Sequence, residues 1–244
     1  MTRPPRIGVL GGTFDPIHLG HLAVARQAAD AIGLDRVWLL PARTPPHRPV
    51  DPSASVVHRF AMAVLAASTD SRFIASDLEL GRPGASYTAD TLRAMHATGL
   101  EAWQIFFLTG ADAFAEIATW REYPAVLGLA HFVACSRAGM AASSLRALLP
   151  DLAARMIFVP IPGPEDPGLH RSDLTGPLET RVFLLDCTTP DISSTTIRAH
   201  ARAGRPLAGL VPPEVDDYIR RHRLYGADPG AERGDRPAAG NLHE

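Results

Sequence analysis

Short apolar runs alternate with amphipathic stretches along most of this chain. Ile7-Gly8-Val9-Leu10 is brief and β-favouring, the pattern of a strand buried on both faces of a parallel sheet. Leu22, Ala25, Ala29 and Ile32 then recur at three- and four-residue steps, which predicts one face of a helix packing on that sheet. Extended along the chain, the same reading predicts strands near 6–11, 36–41, 73–79, 104–109, 131–135, 156–160 and 182–187. Helices are predicted near 19–32, 54–68, 87–97, 111–119, 143–154 and 193–203. Strands that alternate with helices imply an α/β fold, a Rossmann-like doubly wound parallel sheet with helices on both faces. Right-handed crossovers would gather the strand carboxyl ends on one edge, bringing together the glycines after the first strand, Gly110 to Asp112 and Ser193. One domain is expected over residues 1–225, with a helical part at 193–225. The Gly-, Pro-, Ala- and charge-rich tail 226–244 has too few apolar residues to pack and is expected to be disordered.

Composition narrows the picture modestly. In 244 residues, 46% hydrophobic content suffices for a sizeable core. A formal charge of −2 gives no electrostatic case for a nucleic-acid or membrane partner, so basic residues are read locally, as anion ligands. Cys135 and Cys187 are too few for a disulfide framework, and Cys135, within an apolar run, reads as a small buried side chain. Arg3 and Arg6 are followed by only a four-residue apolar run before the glycines, so neither a signal peptide nor a membrane helix is expected and a reducing cytoplasm is the expected setting.

The chemistry concentrates in residues 11–22, Gly-Gly-Thr-Phe-Asp-Pro-Ile-His-Leu-Gly-His-Leu, where a strand runs into a helix. Gly11 and Gly12 permit close approach of a ligand, and the helix start adds unpaired N–H groups and partial positive charge, so Thr13, Phe14 and the glycines form a place to hold phosphates. His18 and His21, three apart, would face the same way on the first turn and could both donate to one phosphoryl group. Such a pair could also be a surface accident or two metal ligands. A zinc site would want a third ligand, and Asp15, followed by Pro16 on a turn, is poorly suited, so no protein-built metal site is expected. No Walker A loop occurs, and Gly8, Gly11 and Gly12 have the wrong spacing for a Gly-x-Gly-x-x-Gly turn, which disfavours P-loop ATPases and nicotinamide-dependent dehydrogenases. A second helix start lies at Ile192-Ser193-Ser194-Thr195-Thr196-Ile197-Arg198: the serines can cap, and Arg198 either swings onto a phosphate or remains a solvated helix residue. Arg59 has the same two readings, a solvated helix residue or an anion contact.

Gly-Gly-Thr-Phe-Asp-Pro-x-His-x-Gly-His near the start and Ile-Ser-Ser-Thr-x-x-Arg near the end together resemble the nucleotidyltransferase family with the His-x-Gly-His motif. Pro45-Pro46-His47-Arg48, Ser86-Tyr87-Thr88-Ala89-Asp90-Thr91-Leu92, Gly110-Ala111-Asp112, Trp120 and the ending from Leu210 to Tyr225 are similar to its nicotinate-nucleotide adenylyltransferase branch, so the resemblance spans residues 6–225. The branch usually has lysine where Arg48 stands, which keeps charge but changes geometry. The segment 163–180 is longer and more polar than the family suggests.

The resemblance implies direct adenylyl transfer. A phosphate oxygen of nicotinate mononucleotide attacks the α-phosphorus of ATP in line, and pyrophosphate leaves. It assigns His18, His21 and Arg198 to catalysis. ATP is assigned to Gly11, Gly12, Thr13, Phe14, His18, His21, Gly110, Asp112, Ile192, Ser193, Ser194 and Arg198, with Mg2+ bridging the leaving pyrophosphate. His47, Arg48, Tyr87, Thr88 and Trp120 are assigned to the mononucleotide, Trp120 stacking on the pyridine ring and Thr88 meeting its carboxylate, while the proline-rich loop at 41–52 covers the nucleotides. Expected partners are these two small molecules, with no nucleic acid and no membrane; a homo-oligomer stays open. Sister enzymes acting on nicotinamide mononucleotide or phosphopantetheine, a class I aminoacyl-tRNA synthetase and a non-catalytic nucleotide-sensing module are the competing readings. The chain lacks the Lys-Met-Ser-Lys-Ser loop of the synthetases.

Overall fold

The computed structural model describes residues 4–45, 52–136, 139–161 and 179–226. Its strands are β1 (Ile7–Gly12), β2 (Arg36–Pro41), β3 (Phe73–Ala75), β4 (Ile105–Gly110), β5 (His131–Cys135), β6 (Met156–Phe158) and β7 (Val182–Leu185). They form one sheet in the order β3-β2-β1-β4-β5-β7-β6, and every neighbouring pair is parallel. The helices are α1 (Leu19–Ile32), α2 (Val56–Ala67), α3 (Thr88–His96), α4 (Ala111–Ala115), α5 (Leu145–Leu148), α6 (Ser194–Arg202) and α7 (Pro213–Arg221).

The strands' two-residue period splits the core as a doubly wound sheet requires. Phe106 and Leu108 of β4 join a cluster with Leu22 of α1, Met62 of α2, Ile197 of α6 and Val215 of α7. The alternate residues Ile105 and Phe107 join a second cluster with Leu92 of α3, Phe114 of α4 and Leu145 of α5. The strand order reverses at β1 and β4, so their carboxyl ends diverge into a crevice there. The expected α/β sheet with helices on both faces is therefore the observed one.

Some elements are shorter than their apolar pattern predicts. The strand expected over 73–79 stops at Ala75, because the Ser76 hydroxyl accepts from the Leu78 N–H at 3.4 Å and offers the backbone a turn in place of a ladder. The helix expected over 111–119 ends at Ala115 and passes into a 3-10 turn over Ile117–Thr119. That expected over 143–154 is broken: α5 covers one turn, and Pro150, which restricts Leu149 to extended backbone (φ −125°, ψ 67°), starts a separate 3-10 segment at Pro150–Arg155. Conversely, α7 emerges as a distinct helix within the helical C-terminal region expected over 193–225. It opens on Pro213 with Glu214 and Asp216 in its first turn and closes on Arg220 and Arg221, charges that suit the helix dipole at both ends.

Candidate functional site

At the carboxyl edge, where the strand order reverses, lies a cavity of about 1170 Å³. Its wall is assembled from several places: Gly11 to Phe14 with His18 and His21 after β1, Gly110 and Asp112 after β4, Cys187 to Thr195 after β7, Tyr87 and Thr88 at the start of α3, and Trp120 after α4. Every predicted site residue within the described residues lines it except Arg198. His47 and Arg48 lie outside the described residues, as do 46–51 of the expected covering loop, most of the 163–180 segment and the tail beyond Gly226.

The glycine turn is held in shape by packing. A Cβ on Gly12 would lie 2.8 Å from the Phe14 ring, and Phe14 is itself fully buried with a left-handed backbone (φ 51°). The Phe14 ring meets His21 edge-on at 5.0 Å. His18 stacks on His21 with ring centroids 3.7 Å apart, and a Cβ on Gly20 would stand 3.1 Å from two atoms of the His18 imidazole. Gly20 therefore leaves the space in which the two rings lie together. The His18 backbone N–H donates to His21 Nδ1 at 3.3 Å. Nδ1 is thus the acceptor, a neutral His21 carries its proton on Nε2, and that proton is available to a phosphoryl oxygen.

Two residues that sequence reasoning missed or left open support this turn. Arg59, 1% exposed, is neither solvated nor a ligand on the cavity wall. Its guanidinium donates to the carbonyls of Thr13 at 2.7 Å, Ala42 at 2.7 Å, Arg43 at 3.1 Å and Ala54 at 3.2 Å, clamping the β1 turn to the chain leaving β2. A signal was present: Arg59, Met62, Ala63 and Ala66 form the buried stripe of α2, with an arginine in an apolar position. Asp15 is 1% exposed. Its carboxylate accepts from the N–H groups of Ser53 at 2.8 Å and Ala54 at 3.0 Å and from the Tyr225 hydroxyl at 2.9 Å. Nothing local to Asp15 announces those partners.

At the start of α6, Ser193 Oγ accepts from the Thr196 N–H at 3.1 Å, a helix cap. Ser194 Oγ donates to the Pro16 carbonyl at 2.9 Å and ties this helix to the glycine turn. Arg198 sits behind the wall: its guanidinium donates to the Asp15 carbonyl at 2.7 Å and to Thr195 Oγ1 at 3.2 Å, and Nη1 stands 3.8 Å from the Asp15 carboxylate.

Part of the cavity wall is aromatic. Trp120 packs edge-on against Phe107 and Phe132, each at 6.2 Å between centroids. The Arg121 guanidinium lies 4.8 Å from the centroid of the Tyr87 ring. Thr88 begins α3, and Thr91 one turn on donates to the buried Glu79 at 2.5 Å.

A glycine turn at the crest of a parallel sheet, two stacked imidazoles and a capped helix end around a nucleotide-sized cavity define a nucleotidyltransferase site. Residues 9–200 match the family model described as cytidylyltransferase-like. A probable nicotinate-nucleotide adenylyltransferase of Geobacter sp. (strain M21) is 41% identical over 221 residues, covering 90% of this chain and 98% of that protein. One from Symbiobacterium thermophilum is 40% identical over 220 residues, covering 90% and 95%. The chain belongs to the nicotinate-nucleotide adenylyltransferase family. In fold it is similar to Plasmodium falciparum nicotinic acid mononucleotide adenylyltransferase complexed with NaAD, with TM-score 0.66 and 17% identity over 93% of this chain and 100% of that one.

Proposed function

We propose that the protein transfers the adenylyl group of ATP to nicotinate mononucleotide, giving nicotinate adenine dinucleotide and pyrophosphate, a step of NAD biosynthesis. The observation that carries this reading is that the phosphate-suited turn and Tyr87, Thr88 and Trp120 line one cavity, so two nucleotides can meet inside it. A phosphate monoester is already an anionic nucleophile at neutral pH, so the residues here chiefly have to orient two anions and offset charge growing on the α-phosphoryl group. His18 and His21 serve that purpose beside the N–H groups of the turn. Arg198 reaches the β,γ-phosphates by exchanging the Asp15 carbonyl for a phosphoryl oxygen. Magnesium would arrive with ATP, with Asp112 and Asp191 on the cavity wall as acceptors for its waters, and would offset charge on the leaving pyrophosphate. Thr88 at a helix start and the Arg121 cation line the same cavity as Trp120, which suits a nicotinate carboxylate better than an amide. Among the described residues no helix is long and apolar enough to cross a membrane; we place the reaction in the cytoplasm, without nucleic-acid or membrane partners.

The test is pyrophosphate release with ATP and Mg2+, offering nicotinate mononucleotide, nicotinamide mononucleotide and phosphopantetheine in parallel. Turnover is expected to be fastest with the first. Preference for either of the others, or no turnover with any, overturns the assignment.

A further inference from the structure

The chain has two cysteines, far apart in sequence, and the sheet brings them together. Cys135 ends β5, in register with Leu185 at the end of β7. Two residues on, the Cys187 N–H donates back to the Leu185 carbonyl at 3.0 Å, and its own carbonyl accepts from Ser136 Oγ at 2.9 Å. Both side chains are free thiols, the Cys135 thiol donates to the Val133 carbonyl at 3.8 Å, and both residues lie on the wall of the nucleotide cavity. The Ser136–Cys187 bond sets Cys187 beside the residue that follows Cys135, so the two cysteines stand at adjacent strand ends. Cys135 is 1% exposed, whereas Cys187 is half-buried and reachable from the cavity.

We propose that Cys135 and Cys187 are a redox site: a low-molecular-weight disulfide such as oxidised glutathione converts the pair to an intramolecular disulfide, and this bond weakens nucleotide binding. The accessible Cys187, as its thiolate, attacks one sulfur of the small disulfide. A mixed disulfide forms, and the first small thiolate leaves and takes up a proton. Cys135 then attacks the Cys187 sulfur and expels the second small thiol. Two protein thiols lose two electrons and two protons, and one small disulfide is reduced to two thiols. Contact with Cys187 and burial push the Cys135 thiol up, which makes it the resolving group and Cys187 the attacking one.

The consequence for binding follows from what Cys187 leads into. Thr188 to Thr195 form the phosphate-end wall, and Thr188 is held from below by Gln27, whose side chain donates to its carbonyl at 2.8 Å and accepts from its N–H at 2.9 Å. A covalent bond draws Cys187 towards β5 and pulls this segment against that anchor. The thiol chemistry stands on its own, while the effect on ATP rests on the adenylyl-transfer reading.

The experiment incubates the full chain with excess oxidised glutathione. It follows intact mass, cysteine-linked peptides and ATP binding by titration calorimetry, before and after dithiothreitol, with Cys187→Ser in parallel. Expected are loss of two hydrogens, a linked Cys135–Cys187 peptide pair, a fall in ATP affinity of about tenfold or more, and recovery on reduction. Cys187→Ser should give no linked pair, and its ATP affinity should be the same with and without the oxidant. An unchanged mass, a stable glutathione adduct on Cys187 as the end product, or a disulfide that leaves ATP affinity intact overturns the proposal. A reduced protein that binds no ATP overturns the adenylyl-transfer reading, and the linked peptide still decides whether the thiol pair exists.

Discussion

Gly20 is the residue at which stability and activity pull apart. It lies in the first turn of α1, where alanine is favoured over glycine by about 1 kcal/mol. Yet a Cβ would crowd the His18 ring at 3.1 Å. Gly20→Ala is expected to melt at the same temperature or higher while kcat/KM falls about tenfold or more; full activity in that variant would mean the His18 position is not what the glycine protects. His21→Ala, which on the adenylyl-transfer reading removes a transition-state donor, should keep the fold and lower kcat by about 10²–10³-fold, checked by pyrophosphate release alongside circular dichroism. Arg59 differs from both, because it touches carbonyls of the turn and not the cavity. Arg59→Met leaves four carbonyls without this donor and should cost about 3 kcal/mol or more in urea unfolding, as for breaking a buried charge network.

Among the elements, the chain end after α7 has a role that its length does not suggest. The Tyr225 hydroxyl donates to buried Asp15 at 2.9 Å, joining the end of the described chain to the phosphate turn. Burial and the Asp15 charge push the Tyr225 phenol well above its usual range, so it stays a neutral donor at working pH. Tyr225→Phe takes one donor from a buried carboxylate and should cost about 1–3 kcal/mol. Because the same carboxylate accepts from Ser53 and Ala54, the loss should also raise KM for ATP. An unchanged KM with lowered stability would confine the contact to packing.

For the molecule as a whole, the pH dependence of stability should carry the signature of His131. This residue begins β5, is 1% exposed, accepts from the Arg181 N–H at 2.9 Å and stacks on Phe106 at 4.8 Å. Burial first, then the charges of Arg6, Arg181 and Arg155, lower its pKa from 6.5 to about 4. Between those values the unfolded chain binds a proton that the folded one refuses. The contribution is therefore complete above 6.5 and is lost as pH falls towards about 4, amounting to roughly 3 kcal/mol at most. Urea unfolding between pH 7.5 and 4.5 should show this loss in the parent and a flatter profile in His131→Gln, and equal slopes would remove His131 as the cause.

Local pattern was enough for most strands and helices and for the residues that line the cavity, though not for where β3, α4 and α5 stop. Alternation of apolar residues within a few positions gave β1, α1 and the parallel sheet, and the glycine turn, His18, His21, Ser193, Thr88 and Trp120 were legible because each belongs to a short motif whose residues act on their neighbours. Tertiary structure decided what lies behind them. Arg198 meets Asp15 across 183 positions and Tyr225 meets it across 210. Arg59 reaches Thr13 across 46, and Ser136, next to Cys135, meets Cys187 across 51. Helix and strand periods depend on atoms a few bonds away, whereas the partner of a buried charge or thiol is chosen by which strands the sheet sets side by side. For that reason the linear chain left Arg59 open and assigned Arg198 without its partner Asp15, and the folded one sets Arg59 against the Thr13 carbonyl and Arg198 against that of Asp15.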